Sequence, residues 1–138
     1  MHKFSNDKPI YAQIVDLLHI RIITGAYPAK SKLPSVRDLA MELGVNPNTM
    51  QRAFAQLEQE GYVWSERTAG RFVTDDEGRL QAARANLMES KTTDYVSAMK
   101  NYKASDQEML DIVASCAARY TALHSEQSKD RPVTETGE

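Results

Sequence analysis

The segment of this chain richest in hydrogen-bonding chemistry is "NPNTMQR", residues 46–52. On a helical wheel at about 100° per residue, Asn48, Arg52, Ala55 and Gln59 share one side, flanked by Thr49, Gln51 and Gln56. Met50, Ala53, Phe54 and Leu57 lie opposite. Amides, a hydroxyl, one guanidinium and a small methyl suit the reading of base edges, because amides pair with adenine, arginine with guanine, and a methyl meets that of thymine. The start of such a helix also carries unpaired N–H groups and the positive end of its dipole, which favour a phosphate. An isolated helix with this face would ordinarily be a solvated one, so the neighbouring elements have to decide. Arg37, in "LPSVR", read by itself could be a salt-bridge partner for a nearby acid. Other chemistries lack a carrier. His2, His19 and His124 are scattered without ligand spacing, the single Cys116 allows no internal disulfide, and there is no Ser-His-Asp or Gly-rich phosphate motif. No enzyme, metal or cofactor is expected.

The elements that must position these residues follow in order. Pro9 opens an amphipathic helix with Ile10, Tyr11, Ile14, Leu17, Leu18 and Ile22 at spacings of one, three and four, and Gly25 is its natural stop. "AYPAKSK" reads as a loop. Ser35, with Asp38 three residues on, predicts a capping box for a short second helix with Leu39, Ala40 and Leu43 inward and Gly44 at its end. Asn46 is a favoured N-cap and Pro47 falls at the first helical position of a third helix, closed by Gly61. Two helices joined by "GVN" form a helix-turn-helix. "YVWSERTAGRFVTDD" then predicts a hairpin around Thr68-Ala69-Gly70, with Trp64 read as core packing between wing and helices in preference to a stacking platform. The fold class is mainly α with a small β-hairpin, a winged helix-turn-helix over 8–75.

After Asp75 the character changes. Residues 76–104 favour helix, bent or broken at "SKTTD", and Ser105 with Glu108 caps a further helix. Its narrow seam, Met109, Val113, Cys116, Tyr120 and Leu123, places Cys116 as a buried thiol. A two-helix segment over 76–124 and a disordered polar tail over 125–138 complete the reading. The net charge is −2, which argues against a generic polyanion binder; any nucleic-acid contact must come from where the cations sit. No apolar run approaches a membrane span and no signal peptide is visible, so a soluble cytoplasmic protein is expected.

"PIYAQI", "LPSVRDLA", "LGVNPNTMQRAFAQLEQEGYV" and "GRFV" together resemble the DNA-binding domain of the GntR family of bacterial transcription regulators. Asn46-Pro47-Asn48-Thr49, with Arg52-Ala53 following, is similar to the YtrA-like branch. The resemblance implies that Arg37, Asn48, Thr49, Gln51 and Arg52 face operator DNA, with the cap residues Ser35 and Asn46 in the same set. Arg67, Gly70 and Arg71 would stand at the wing tip. Two departures stand out: Thr68 replaces the usual wing glycine, and Ala29-Lys30 replaces the usual Pro-Gly after the first helix. Lys30 is either an added phosphate contact or a substitution in a permissive loop.

The resemblance also implies a small helical dimerisation segment. Two thin helices make a meagre core alone, and pairing through Met88, Tyr95, Met99, Tyr102, Met109, Val113, Cys116 and Tyr120 would complete it. The expectation is a homodimeric repressor on an inverted-repeat operator in double-stranded DNA, without a membrane partner. Two alternatives are an unidentified small-molecule effector held in the helical segment, and a winged-helix adapter that binds protein instead of DNA.

Overall fold

A computed structural model describes residues 2–129. Its elements are α1 (Ile10–Ile23), α2 (Val36–Leu43), α3 (Pro47–Gln59), β1 (Val63–Glu66), β2 (Gly70–Val73), α4 (Glu77–Lys100) and α5 (Asp106–Lys129). The chain divides into two compact units, and the division falls inside α4, between Met88 and Glu89.

In the first unit, local signals start and stop the helices. The Ser35 hydroxyl accepts from the Asp38 N–H at 3.0 Å, and Gly44 ends α2 at φ 69°, a left-handed conformation that costs glycine nothing. The Asn46 side chain accepts from the Asn48 N–H at 2.8 Å, and Pro47 occupies the first position of α3. Ile14, Leu18, Leu39, Met50, Ala53, Phe54 and Leu57 are each at 0% exposure. At roughly 1.5–3 kcal/mol for each large side chain buried, they hold the three helices together.

β1 and β2 pair antiparallel, from Val63 opposite Val73 to Glu66 opposite Gly70. The stretch read as a loop contributes a third, single-bridge edge, because the Leu33 N–H donates to the Arg71 carbonyl and the Val73 N–H to that of Ser31. No alternation announces one bridge, so the sequence pattern could not reveal it. Nearby Lys30 adopts φ 68°, a left-handed conformation that suits the glycine which the resemblance gives at this position.

Trp64 corrects an expectation. It is 42% exposed and stacks on Phe72 at 4.7 Å on the outer face of the wing. Side chains alternate along a strand, so burying Val63 and Val73 turns Trp64 and Phe72 outward.

The first unit runs past the expected boundary at residue 75, since Leu80 of α4 joins its core. Arg79 ties the two elements together: it donates to the Glu60 carbonyl at the end of α3 and lies over the Tyr62 ring at 5.1 Å. α4 continues unbroken through "SKTTD". That stretch holds no glycine or proline, and its Ser and Thr residues cost only tenths of a kcal/mol each.

In the second unit α5 opens on a reciprocal capping box. The Glu108 N–H donates to the Ser105 hydroxyl and the Ser105 N–H to the Glu108 carboxylate, each at 3.1 Å. α5 reaches Lys129, so residues 125–129 are helical where a disordered tail was expected, and 130–138 lie outside the described residues. Nothing between Ser125 and Lys129 breaks a helix. Tyr95 donates its hydroxyl to the Met109 carbonyl at 3.1 Å, and Met109 is buried. Cys116, expected as a buried thiol, is exposed in this single chain, as are Met88, Tyr102, Val113 and Tyr120. α5 packs mainly through its first turns, and among the described residues its later seam stays largely exposed, Tyr120 meeting only the ring of His124 on the same helix.

Candidate nucleic-acid interface

α3 presents Asn48, Gln51 and Arg52 to solvent, with Thr49 half-buried beside them, while its opposite face is buried in the core. The Asn46 amide oxygen and the Ser35 hydroxyl oxygen each accept a cap hydrogen bond at the start of α3 and α2, which leaves the Asn46 NH2 and the Ser35 O–H as donors. The Arg52 guanidinium stacks over the Tyr11 ring, 3.7 Å from its centroid. A shallow groove of about 370 Å³ runs there between Pro9, Ile10, Tyr11, Asn48, Thr49 and Arg52.

A second groove, of about 410 Å³, separates the wing tip from the start of α2 and is lined by Lys32, Pro34, Ser35, Arg37, Thr68, Ala69 and Gly70 among others. Arg37 is exposed, with no ion-pair partner among the described residues. Arg67 is likewise exposed in the turn between the strands. Gly70 holds φ 104°, and a Cβ there would meet Lys32 Cε at 3.0 Å. The glycine therefore serves both the turn and the passage of the lysine stem.

Arg71 differs from the expectation. It pairs with Ser65 inside the hairpin, donates its Nε–H to Glu58 at 3.0 Å and lies over the Phe54 ring at 5.0 Å. Glu58 also accepts from the Ser65 hydroxyl. Arg71 thus braces the wing against α3 through a partly exposed ion pair, while it also lines the groove that holds Arg37. Lys32 was missed by sequence reasoning. Its place beside "LPS" was the available signal, but only the bridge to Phe72 carries it to the wing.

The geometry is therefore a capped, polar helix end with exposed cations beside it on α2, the wing turn and the bridging segment. The sequence profile described as "Bacterial regulatory proteins, gntR family" matches residues 10–73, from the start of α1 to the end of β2. An uncharacterised HTH-type transcriptional regulator of Bacillus subtilis, YhcF, is 33% identical over 110 residues, covering 80% of this chain and 91% of that protein. The chain belongs to the GntR family of bacterial regulatory proteins. A GntR family transcriptional regulator from Listeria monocytogenes has a similar structure, with a TM-score of 0.76 and 37% identity over 81% of this chain and 98% of that one. The HTH-type transcriptional repressor YtrA of Bacillus subtilis is 35% identical over 62% of this chain and 61% of its own length. The GntR profile thus covers the winged-helix elements, and the Listeria likeness extends beyond them. Among the described residues no helix is long and apolar enough to cross a membrane.

Proposed function

We propose that this GntR regulator is a sequence-specific, homodimeric repressor of the YtrA-like branch that occupies an inverted-repeat operator. The observation that carries the DNA reading is the α3 end: exposed Asn48, Gln51 and Arg52 stand on a helix whose opposite face is wholly buried. In a helix-turn-helix that end enters the major groove. Arg52 and the amides read bases, while Arg37, Lys32 and Arg67 fix position on the phosphates. The likeness to a protein named a repressor supports the direction of control.

Dimerisation is supported by the exposed apolar residues of α5, including Leu110, Val113, Tyr120 and Leu123. They adjoin an apolar groove of about 550 Å³ lined by Tyr95, Val96, Met109, Leu110 and Val113 among others. A second copy of the chain would cover this face with its own α5 and bring with its α3 the second recognition helix that a two-fold operator requires. The same groove is the one observation that favours a small-molecule effector. A ligand-dependent rise in melting temperature at an unchanged oligomeric state would establish that reading.

The primary test is fluorescence anisotropy of the full chain on its upstream DNA and on scrambled DNA, across a salt series. The expected result is preference for the upstream fragment, with log affinity falling linearly in log salt. No binding to either DNA at low salt would overturn the proposal.

A further inference from the structure

We propose that Tyr11 is a positioning residue for base recognition: its ring is a platform that fixes the plane of the Arg52 guanidinium and so sets the base that Arg52 prefers. The inference rests on the DNA-reading role given to α3 above.

Three features lead to it. The first is the contact itself, a guanidinium 3.7 Å from the centroid of the Tyr11 ring. The second is a contrast among the arginines of this unit. Arg21 is held by Glu42 and Arg71 by Glu58, each at 3.0 Å through a carboxylate. Arg52 has an aromatic face instead and no carboxylate partner among the described residues. The difference matters chemically. A carboxylate occupies the N–H edge of a guanidinium, whereas a stacked ring occupies its flat face and leaves the fork of donors free. That fork is what matches the O6 and N7 acceptors of guanine.

The third feature is the rigidity of the platform. Tyr11 lies in the first turn of α1, and the chain leading into that turn is pinned. The Gln13 side chain accepts from the Ser5 N–H at 2.9 Å and donates to the Ser5 and Lys8 carbonyls at 2.8 Å each. Ile14 and Leu18, on the same helix, are fully buried, as are Ala53 and Phe54 next to Arg52. Ring and guanidinium therefore hang from two backbones that share one core. A long, flexible side chain is held in one orientation before DNA arrives, which lowers the ordering cost of a bidentate contact. No hydrogen bond ties the Tyr11 hydroxyl among the described residues, so the ring, not the hydroxyl, performs this task.

The experiment selects binding sites from a random DNA pool with the wild-type protein. Affinities of Tyr11→Phe, Tyr11→Leu, Arg52→Ala and Tyr11→Leu/Arg52→Ala are then measured on the selected site and on sites mutated base by base. Tyr11→Phe is expected to match wild type. Tyr11→Leu is expected to lose about three- to tenfold of the preference at one base pair, the same one lost in Arg52→Ala, with an unchanged salt slope. The double variant should lose no more than Arg52→Ala alone. Tyr11→Met, bulky but without a ring, replaces Tyr11→Leu if the latter does not melt cooperatively. Equal loss on every sequence, or a loss in Tyr11→Phe, would overturn the platform role in favour of packing or a hydroxyl–phosphate contact. An Arg52→Ala protein that keeps the wild-type preference would overturn it while leaving DNA recognition standing. A wild-type protein that selects no sequence would overturn the DNA reading as well.

Discussion

The winged-helix unit and the helical unit place their apolar residues in opposite ways. Among the described residues every buried apolar side chain except Met109 lies at or before Ala83. Beyond Met88 the chain exposes Leu110, Ile112, Val113, Tyr120 and Leu123 along a single helix. The first unit closes a core within one chain. The second leaves a long helix with one face uncovered, an arrangement that suits assembly better than isolated stability. The lesson is that a run of apolar residues at helical spacing identifies a buried face without saying which molecule buries it.

The comparison breaks most visibly if a core residue is removed. Phe54→Ala leaves a void where α3, the wing and Arg71 meet, and should cost about 3–5 kcal/mol in urea unfolding; a loss under 1 kcal/mol would mean that the three-helix core does not depend on α3. Next in size is Val113→Glu. If α5 carries the proposed dimer interface, the variant should be monomeric by light scattering, with a penalty of order 3 kcal/mol on association from an unpaired charge. The winged-helix unit should meanwhile melt within about 0.5 kcal/mol of wild type. A stable dimer in this variant would remove α5 from the interface.

A sharper test sets two arginines of the first unit against each other. Arg71→Ala leaves Glu58 with only the Ser65 hydroxyl and should lower stability by about 1 kcal/mol, moderated because both partners are partly solvated. Arg37→Ala should leave stability within about 0.5 kcal/mol yet weaken binding to any DNA, with the salt slope shallower by about one. Reversed outcomes would exchange the structural and the DNA-facing arginine.

The smallest effect is expected in the turn between α4 and α5. Lys100 donates to Asp106 at 2.8 Å and holds that carboxyl below its ordinary value of 3.8. A lowered folded value means the interaction is complete above pH 3.8 and is lost as the pH falls below it, through the folded value. Asp106→Asn should flatten this acid limb in urea melts of the full chain, and salt at about 1 M should do the same to wild type, because the pair is exposed.

Much of the winged helix was legible beforehand because its signals are local. Ser35, Asn46, Pro47, Gly44 and the Ser105–Glu108 box each act within a few residues, and each stands at a helix end where the sequence pattern put it. The apolar face of α3 was legible for a similar reason, since a period of 3.6 is written along the chain itself. Arg37 and Arg71 looked equivalent by residue type and motif. They differ because Glu58, thirteen residues before Arg71, comes within 3.0 Å of it only when the hairpin folds onto α3.

What the sequence determined by itself is therefore the set of elements, their caps and the side of each helix that faces inward, all consequences of backbone geometry over one or two turns. Tertiary structure decided which polar side chains remain free. It brought Tyr11 under Arg52, drew Lys32 to the wing, turned Trp64 outward and left Cys116 uncovered in the single chain. Those outcomes depend on contacts between residues distant along the chain, or on a face that stays exposed among the described residues, and residue spacing carries no record of either.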